Sequence, residues 1–244
     1  MPPAKSDLYR FGCRVLDYDC YDGPRVQVSP VGGLSPARWE ELTREPRRYG
    51  FHATLKAPFH LQGVSENEVV RALDLFAAGH QPPLPIRLKV ELIEGFAALV
   101  PQEQSPAINA LAADCVRFFD RFRAPLSQDE RTQRLAGGRL SERQISYLDR
   151  YGYPYVLEEF RFHLTLTGVL LSEDREGVLS LLRKKFVEGV PDRQASITAI
   201  SIAKQASPRS AFRVLHQCRL GARSDEKPRS TVGELQRRIL DELS

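Results

Sequence analysis

Apolar and polar residues along the chain follow two periods, one typical of strands and one typical of helices. Alternation over Ile86–Ile93, a turn at Gly95 and a second apolar segment at Phe96–Pro101 together predict a β-hairpin. Apolar residues recur at spacings of three and four after Ser105–Pro106, as in a helix that begins with a capping serine and a proline. The chain therefore combines strands with amphipathic helices.

Serines in capping positions mark the start of most other helices. Ser65 is followed three residues later by Glu68, and this capping-box pattern predicts a helix that ends near Gly79. Ser35 and Pro36 predict a helix that runs to about Glu45 with Pro46 just past its end, and Ser172 predicts a cap for a helix at Glu173–Glu188. Two shorter helices are predicted at about Asp129–Leu135 and Ser141–Tyr151, with Gly137–Gly138 between them.

Short apolar segments bounded by turn residues predict the remaining strands, at Phe11–Leu16, Phe51–Ala57, Phe160–Leu171, Ser196–Lys204 and Phe212–Arg219. Each half of the chain then contains strand, helix, strand, strand. The tight hairpin spacings leave no room for crossovers, so we predict an α+β fold with mostly antiparallel pairing. Residues 221–244 form a polar tail, in which Thr231–Leu243 has the spacing of a short amphipathic helix.

The motif Phe-His-x-Thr-Leu occurs once in each half of the chain, around His52 and around His163. Residues two apart share a face of a strand, so each histidine is expected beside the threonine that follows it, Thr54 or Thr165. The phenylalanine and leucine positions fall on the opposite face, which suits a core. A lone histidine on a strand is usually structural, but two copies of the same polar pattern favour a catalytic role.

Two histidines and two threonines suit the hydrolysis of a phosphate ester. A neutral imidazole can take a proton from the attacking water, and a protonated one can give a proton to the leaving oxygen. Both forms are accessible because imidazole titrates near pH 6.5. We therefore predict His52 and His163 as the catalytic pair, with Thr54 and Thr165 donating to nonbridging oxygens. The scheme uses no metal ion and no cofactor, and it leaves open which histidine is the base.

Three further residues are candidates for binding the phosphate. Lys56 is expected on the face of His52 and Arg161 on that of His163, where each cation can offset the anionic charge; the alternative for each is a solvated position. Tyr155 lies in an irregular loop just before the second motif and is expected to line the site, the alternative being that it caps the core.

Charge changes this picture little. The net charge of +4 suits a small anionic substrate and falls short of the basic density that broad nucleic-acid binding requires. Arg131, Arg134 and Arg139 form a basic cluster, which is either a solvated face or a clamp for a second phosphate on the substrate.

The cysteines and the hydropathy of the chain indicate in which cellular compartment the protein is expected. None of the four cysteines forms a Cys-x-x-Cys pair, so free thiols are expected and a zinc site is not. No apolar run approaches the roughly 18 residues of a membrane-spanning helix, and the first residues do not resemble a secretory signal. We expect a cytoplasmic protein without a membrane partner.

The paired motifs resemble those of the two-histidine (2H) phosphoesterase superfamily. Residues 49–59 and 160–168 most closely resemble a bacterial branch associated with phosphonate metabolism and carbon–phosphorus lyase genes, and the resemblance extends from the first strand to about Arg219. It implies two pseudo-symmetric lobes within residues 1–220, roughly 1–125 and 126–220 with exchange of strands allowed. Each lobe is expected to be an antiparallel sheet with helices outside, and the motif strands to face a central cleft.

The resemblance also implies a substrate, a small cyclic phosphodiester. The genes found beside those of this branch favour a ribose cyclic phosphate, such as 5-phosphoribosyl 1,2-cyclic phosphate, as the substrate. This inference rests on association. A monomer is expected, because the pseudo-twofold lies within one chain. Two alternatives stay open: RNA processing, by 2′,3′-cyclic phosphate hydrolysis or 2′–5′ ligation, which the near-balanced charge disfavours, and non-hydrolytic binding of nucleotides or RNA ends.

Overall fold

The computed structural model describes residues 1–23, 34–208 and 210–222, and these form seven α-helices and six strands. Helices α1 to α7 span Asp7–Leu16, Pro36–Tyr49, Glu66–Gly79, Pro106–Phe119, Gln128–Ala136, Glu142–Tyr151 and Ser172–Gly189. Strands β1 to β6 span Ile86–Ile93, Phe96–Pro101, Leu164–Val169, Gln194–Ala195, Ala199–Gln205 and Phe212–Arg219. Short 3-10 helices lie at Asp120–Phe122 and Leu157–Glu159.

The predicted hairpin is confirmed and forms the centre of the larger sheet. Strands β1 and β2 pair antiparallel around Glu94 and Gly95, which both have positive φ. Strand β3 pairs antiparallel with β2, and β4 with β1, giving the order β3-β2-β1-β4. Strands β5 and β6 form a separate antiparallel pair. The α+β class is confirmed, but sheets of four and two strands do not give the expected pseudo-symmetry in the part of the chain that is described.

Two larger hydrophobic cores and one small cluster, formed by Val116, Tyr151 and Val156, lie within the described residues. The first lies between the larger sheet and helices α1, α2 and α7, and it includes Phe51, Phe162 and Phe186. The second lies among α3, α4 and the two-stranded sheet, and it includes Leu73 and Phe76. Each core contains residues from both halves of the chain. In the first, β3 and β4 from the second half flank the hairpin from the first half, and in the second, α3 and α4 pack against β5 and β6.

Serine side chains cap most of the helices, and the caps predicted at Ser35, Ser65 and Ser105 are confirmed. The Ser65 side chain accepts from the backbone N–H of Glu68, and the Glu68 carboxylate accepts from that of Ser65 in return. Helices α5 and α6 begin with equivalent boxes at Ser127 and Ser141. Ser172 is different: it is the first residue of α7 rather than its cap, and Leu171 in the cap position makes no side-chain hydrogen bond.

The strand predicted at Phe11–Leu16 is wrong, because this segment belongs to helix α1. The Ser6 side chain caps that helix by accepting from the backbone N–H of Tyr9. Phe11 and Val15, four residues apart, are buried on one face. A six-residue apolar segment does not distinguish a strand from a buried helix by its pattern alone.

The motif segments also differ from regular strands. Residues 51–57 join neither sheet, so the strand predicted there is wrong. The strand predicted at Phe160–Leu171 is the shorter β3, and His163 directly precedes it. The alternation predicted after His163 is nevertheless present, because Leu164 and Leu166 are buried while Thr165 between them is partly exposed.

Other boundaries shift by a few residues. Helix α2 continues through the buried Pro46 to Tyr49, so the predicted stop at Glu45 is wrong and tertiary packing overrides the local signal. Strand β5 begins at Ala199 rather than Ser196. The helix predicted at Thr231–Leu243 lies outside the described residues.

No helix within the described ranges has the length and apolar character needed to cross a lipid bilayer.

A close contact between Phe51 and Gly12 fixes the residue before His52. Phe51 is fully buried, and its ring lies against the backbone of α1 where Gly12 has no side chain. A Cβ added at Gly12 would lie 1.9 Å from Phe51 Cγ. That distance is far below a van der Waals contact, so only glycine permits this packing.

We therefore expect Gly12→Ala to destabilise the protein by about 1–3 kcal/mol, as overpacked cores do. Gly177→Ala is the matched control, because Gly177 also lies inside a helix but a Cβ there meets nothing within 4 Å. It should stabilise the protein by about 0.5–1 kcal/mol. Urea unfolding curves of both variants make the comparison. Equal effects of the two substitutions would contradict the proposed contact.

Candidate active site

A cavity of about 890 Å³ lies beside the first motif. His52 and Thr54 line it, together with Tyr49 and Tyr153. Parts of both sheets and of the helices contribute the remaining wall, including Phe162, Leu164, Ile202, Phe212 and Arg134. The volume falls in the range of sites that enclose small molecules.

A glycine turn at the end of α2 orients His52. Gly50 has φ +69°, and a Cβ on it would lie 1.9 Å from Cys20 Sγ. Its carbonyl lies 2.9 Å from His52 Nδ1. Because a carbonyl only accepts hydrogen bonds, Nδ1 carries a proton and Nε2 of the neutral ring is the acceptor. Thr54 Oγ1, 2.9 Å from Nε2, then donates to it.

His163 has the same local arrangement as His52. Its Nδ1 lies 2.8 Å from the carbonyl oxygen of Arg161, again two residues upstream. Its ring is partly buried and lies 5.8 Å from the Phe96 ring, centroid to centroid. Both histidines therefore donate from Nδ1 to the backbone, which leaves Nε2 of each ring for proton transfer.

Electrostatics link the two imidazoles. The pKa of His52 is lowered to about 4, mainly by burial; the Gly50 carbonyl opposes this shift, and the terminal ammonium of Met1 and a positive charge on His163 add to it. The contribution of His163 is the smallest of these four. The His163 side chain and that of Thr165 are not among the residues lining the cavity; the second motif contributes Phe162 and Leu164 to that wall instead.

Lys56 does not present a free cation beside His52. Its side chain is only 9% exposed, and Nζ lies 2.9 Å from Asp120 Oδ1. Asp120 also accepts from Arg123 Nε at 2.8 Å. Burial lowers the pKa of Lys56, and Asp120 offsets part of this effect. Although Lys56 borders the cavity, it ties the first motif to the end of α4 rather than sharing a strand face with Thr54.

The other predicted phosphate ligands lie at the periphery. Arg161 is exposed, and Tyr155 is 39% exposed with its ring 5.6 Å from that of Tyr153. Neither lines the cavity. Tyr153, two residues earlier, lines the cavity as was expected of Tyr155.

Arg134 is the member of the predicted basic cluster that lines the cavity. Its guanidinium lies over the Tyr153 ring, 5.7 Å from the centroid. Arg131 instead pairs with Asp149, with Nε 2.7 Å from Oδ1. Tyr49, whose ring stacks between those of His52 and Phe212, completes the aromatic wall. The sequence contained these residues but no signal that separated Arg134 from Arg131.

The fold is α+β, and His52 of the first motif lines its cavity while His163 of the second does not. The chain belongs to a family described as "Protein of unknown function (DUF1045)", whose model matches residues 54–213.

Two curated relatives extend this comparison. The chain is 35% identical over 191 residues to the ribose 1,5-bisphosphate phosphokinase PhnN of Janthinobacterium sp. (strain Marseille), covering 77% of this chain and 42% of the relative. It is 31% identical over 220 residues to the protein of the same name from Laribacter hongkongensis (strain HLHK9), covering 90% and 49%. The chain thus spans less than half the length of each of these relatives.

Proposed function

We propose that the protein hydrolyses a small cyclic phosphodiester by acid–base catalysis between His52 and His163, without a metal ion in the reaction. One observation carries this proposal: both imidazoles are held through Nδ1 by the carbonyl two residues upstream, and both keep Nε2 for proton transfer. A small lowering of the His52 pKa by a charge on His163 supports placing the two groups in one site.

The lowered pKa of His52 assigns the two roles. A pKa of about 4 keeps His52 neutral near pH 7, so it can act as the general base. In the proposed step His52 Nε2 takes a proton from water while the water oxygen forms a bond to phosphorus. The bond from phosphorus to one ring oxygen breaks, and His163 gives that oxygen its proton. The product is a phosphomonoester with a free hydroxyl.

The two threonines support the same step. Thr54 donates to His52 Nε2 in the free protein, and turning that hydroxyl toward a nonbridging oxygen frees Nε2 for the water. Thr165 lies in β3 two residues after His163, with its side chain partly exposed, and serves as the matching donor. Lys56 contributes by holding the first motif against Asp120, while Arg161 and Tyr155 lie too far out in the described structure to be assigned a contact.

A phosphorylated ribose is the substrate that we favour. In 5-phosphoribosyl 1,2-cyclic phosphate, breaking the bond between phosphorus and O2 leaves that phosphate on C1. The product is then ribose 1,5-bisphosphate, the compound in the names of both relatives. The resemblance to the phosphonate-metabolism branch supports the same substrate class, and hence a role in phosphonate breakdown.

Kinase chemistry fits this chain less well than hydrolysis. The sequence contains no Gly-x-x-x-x-Gly-Lys-Ser/Thr loop, the device with which P-loop enzymes bind the phosphates of a nucleotide. The chain also covers less than half of each relative that bears the kinase name.

Replacing either histidine should abolish most of the turnover. We expect His52→Ala and His163→Ala each to lower kcat about 10²- to 10⁴-fold, the usual contribution of a general acid or base. Phosphorus NMR of 5-phosphoribosyl 1,2-cyclic phosphate and of nucleoside 2′,3′-cyclic phosphates, with EDTA present, measures this. The control is His80→Gln, because His80 stacks on Phe76 away from the cavity.

Full activity in both alanine variants would contradict the catalytic assignment, as would loss of wild-type turnover in EDTA. Faster hydrolysis of the nucleoside cyclic phosphates would favour RNA-end processing over ribose phosphate breakdown. Stoichiometric binding without turnover would favour a binding protein.

Arg134 is expected to bind the second phosphate, the one on C5 of the substrate. Arg134→Gln should raise KM for 5-phosphoribosyl 1,2-cyclic phosphate about 10- to 100-fold, the range for a lost charge-assisted hydrogen bond, with little change in kcat. Ribose 1,2-cyclic phosphate, which lacks the C5 phosphate, should show no such change. Arg131→Gln is the control, because Arg131 pairs with Asp149 outside the cavity. Equal effects on both substrates would contradict this role.

A further inference from the structure

Three side chains of different chemistry converge at the surface where α3 packs on β6. Asp74 lies in the middle of α3, and His216 and Cys218 share a face of β6 because they are two residues apart. His216 Nε2 lies 2.8 Å from Asp74 Oδ1, Cys218 Sγ lies 2.6 Å from the same oxygen, and Sγ lies 3.0 Å from Nε2. One nitrogen, one oxygen and one sulfur atom thus meet at a single point.

The packing around these side chains holds them in place. Leu73, the neighbour of Asp74 in α3, and Phe76 are almost fully buried in the second core. Cys218 packs at the edge of that core. Asp74 is 50% exposed and His216 34% exposed, so the cluster is open to solvent on its outer side. An ion could enter from that side while the backbone stays fixed.

The geometry does not suit a nucleophilic cysteine. In a Cys-His-Asp triad the acid orients one ring nitrogen and the thiol contacts the other. Here the carboxylate and the thiol both contact Nε2 of His216. The histidine cannot relay a proton between them, whereas three ligand atoms on one point are what chelation requires.

We propose that Asp74, His216 and Cys218 bind a divalent transition-metal ion of the zinc type. Thiolate, imidazole and carboxylate are all zinc ligands, and the sulfur disfavours magnesium and calcium. Zinc bonds of about 2.0–2.3 Å place tetrahedral ligand atoms about 3–4 Å apart, so the three side chains need move outward by less than about 1 Å. Water would complete the coordination from the open side, and the ion would join α3 to β6.

This site is separate from the proposed catalytic one. None of its three ligands lines the cavity beside His52. The inference therefore stands independently of the phosphoesterase proposal, and the cation is assigned a structural role. The sequence shows no local zinc motif here, because Asp74 lies 142 residues before His216 and only one of the three side chains is a cysteine.

Cobalt(II) titration of the reduced, EDTA-treated full chain tests the site. We expect one equivalent to bind with a thiolate-to-cobalt charge-transfer band, zinc to displace it, and zinc to raise the Tm. Loss of an outer-shell partner alone weakens metal sites about 10- to 100-fold, so Cys218→Ser, His216→Gln and Asp74→Asn should each weaken binding at least about tenfold. His60→Gln, at an exposed histidine away from the cluster, should bind as the wild type does.

A second measurement needs no variant. Cys13, Cys20 and Cys115 are buried and Cys218 is partly exposed, so iodoacetamide should alkylate Cys218 first in the native protein. Zinc should protect Cys218 from alkylation, as peptide mass mapping would show. Cobalt binding without the sulfur band, unchanged affinity in Cys218→Ser, or alkylation of Cys218 at the same rate with and without zinc would each overturn the proposal.

Discussion

The candidate site depends on the packing of the Phe51 ring against the backbone of α1 at Gly12. Residues 51–57 have no sheet to position them, so their place is set by this contact and by two anchors, the Gly50 turn before it and the Lys56–Asp120 ion pair after it. Between these anchors the His52 ring has one orientation, with Nδ1 on the Gly50 carbonyl and Nε2 toward Thr54. A catalytic imidazole outside regular secondary structure needs this kind of support, because an error of about 1 Å in its position can cost about 100-fold in rate.

The two histidines are alike in local hydrogen bonding but differ in environment, and that difference separates their proposed roles. His52 is partly buried against the Tyr49 ring, and loss of solvent there disfavours the charged form of the imidazole. His163 precedes an outer strand of the larger sheet and packs on Phe96. A neutral base and a separate proton donor follow from placing one short motif in two settings.

Local signals predicted the elements whose formation is local. The β1–β2 hairpin and the helix starts at Ser65 and Ser105 depend on neighbours within a few residues, and the sequence located them. Features that depend on distant contacts were not predictable in the same way. Phe51 packs on α1 at Gly12, Lys56 pairs with a residue 64 positions later, and only the fold distinguishes Arg134 from Arg131. The predicted pair His52 and His163 came from repetition within the sequence, a signal that needs no structure.

The central claim is that burial keeps His52 neutral near pH 7, with a small contribution from a positive charge on His163. An NMR titration of the histidine ring protons tests it most directly, in the wild type and in His163→Gln, a variant that removes the charge while keeping a polar side chain. The account predicts a His52 midpoint of about pH 4 in the wild type and a higher midpoint in the variant. A His52 midpoint near the ordinary value of about 6.5, unchanged by the substitution, would contradict it.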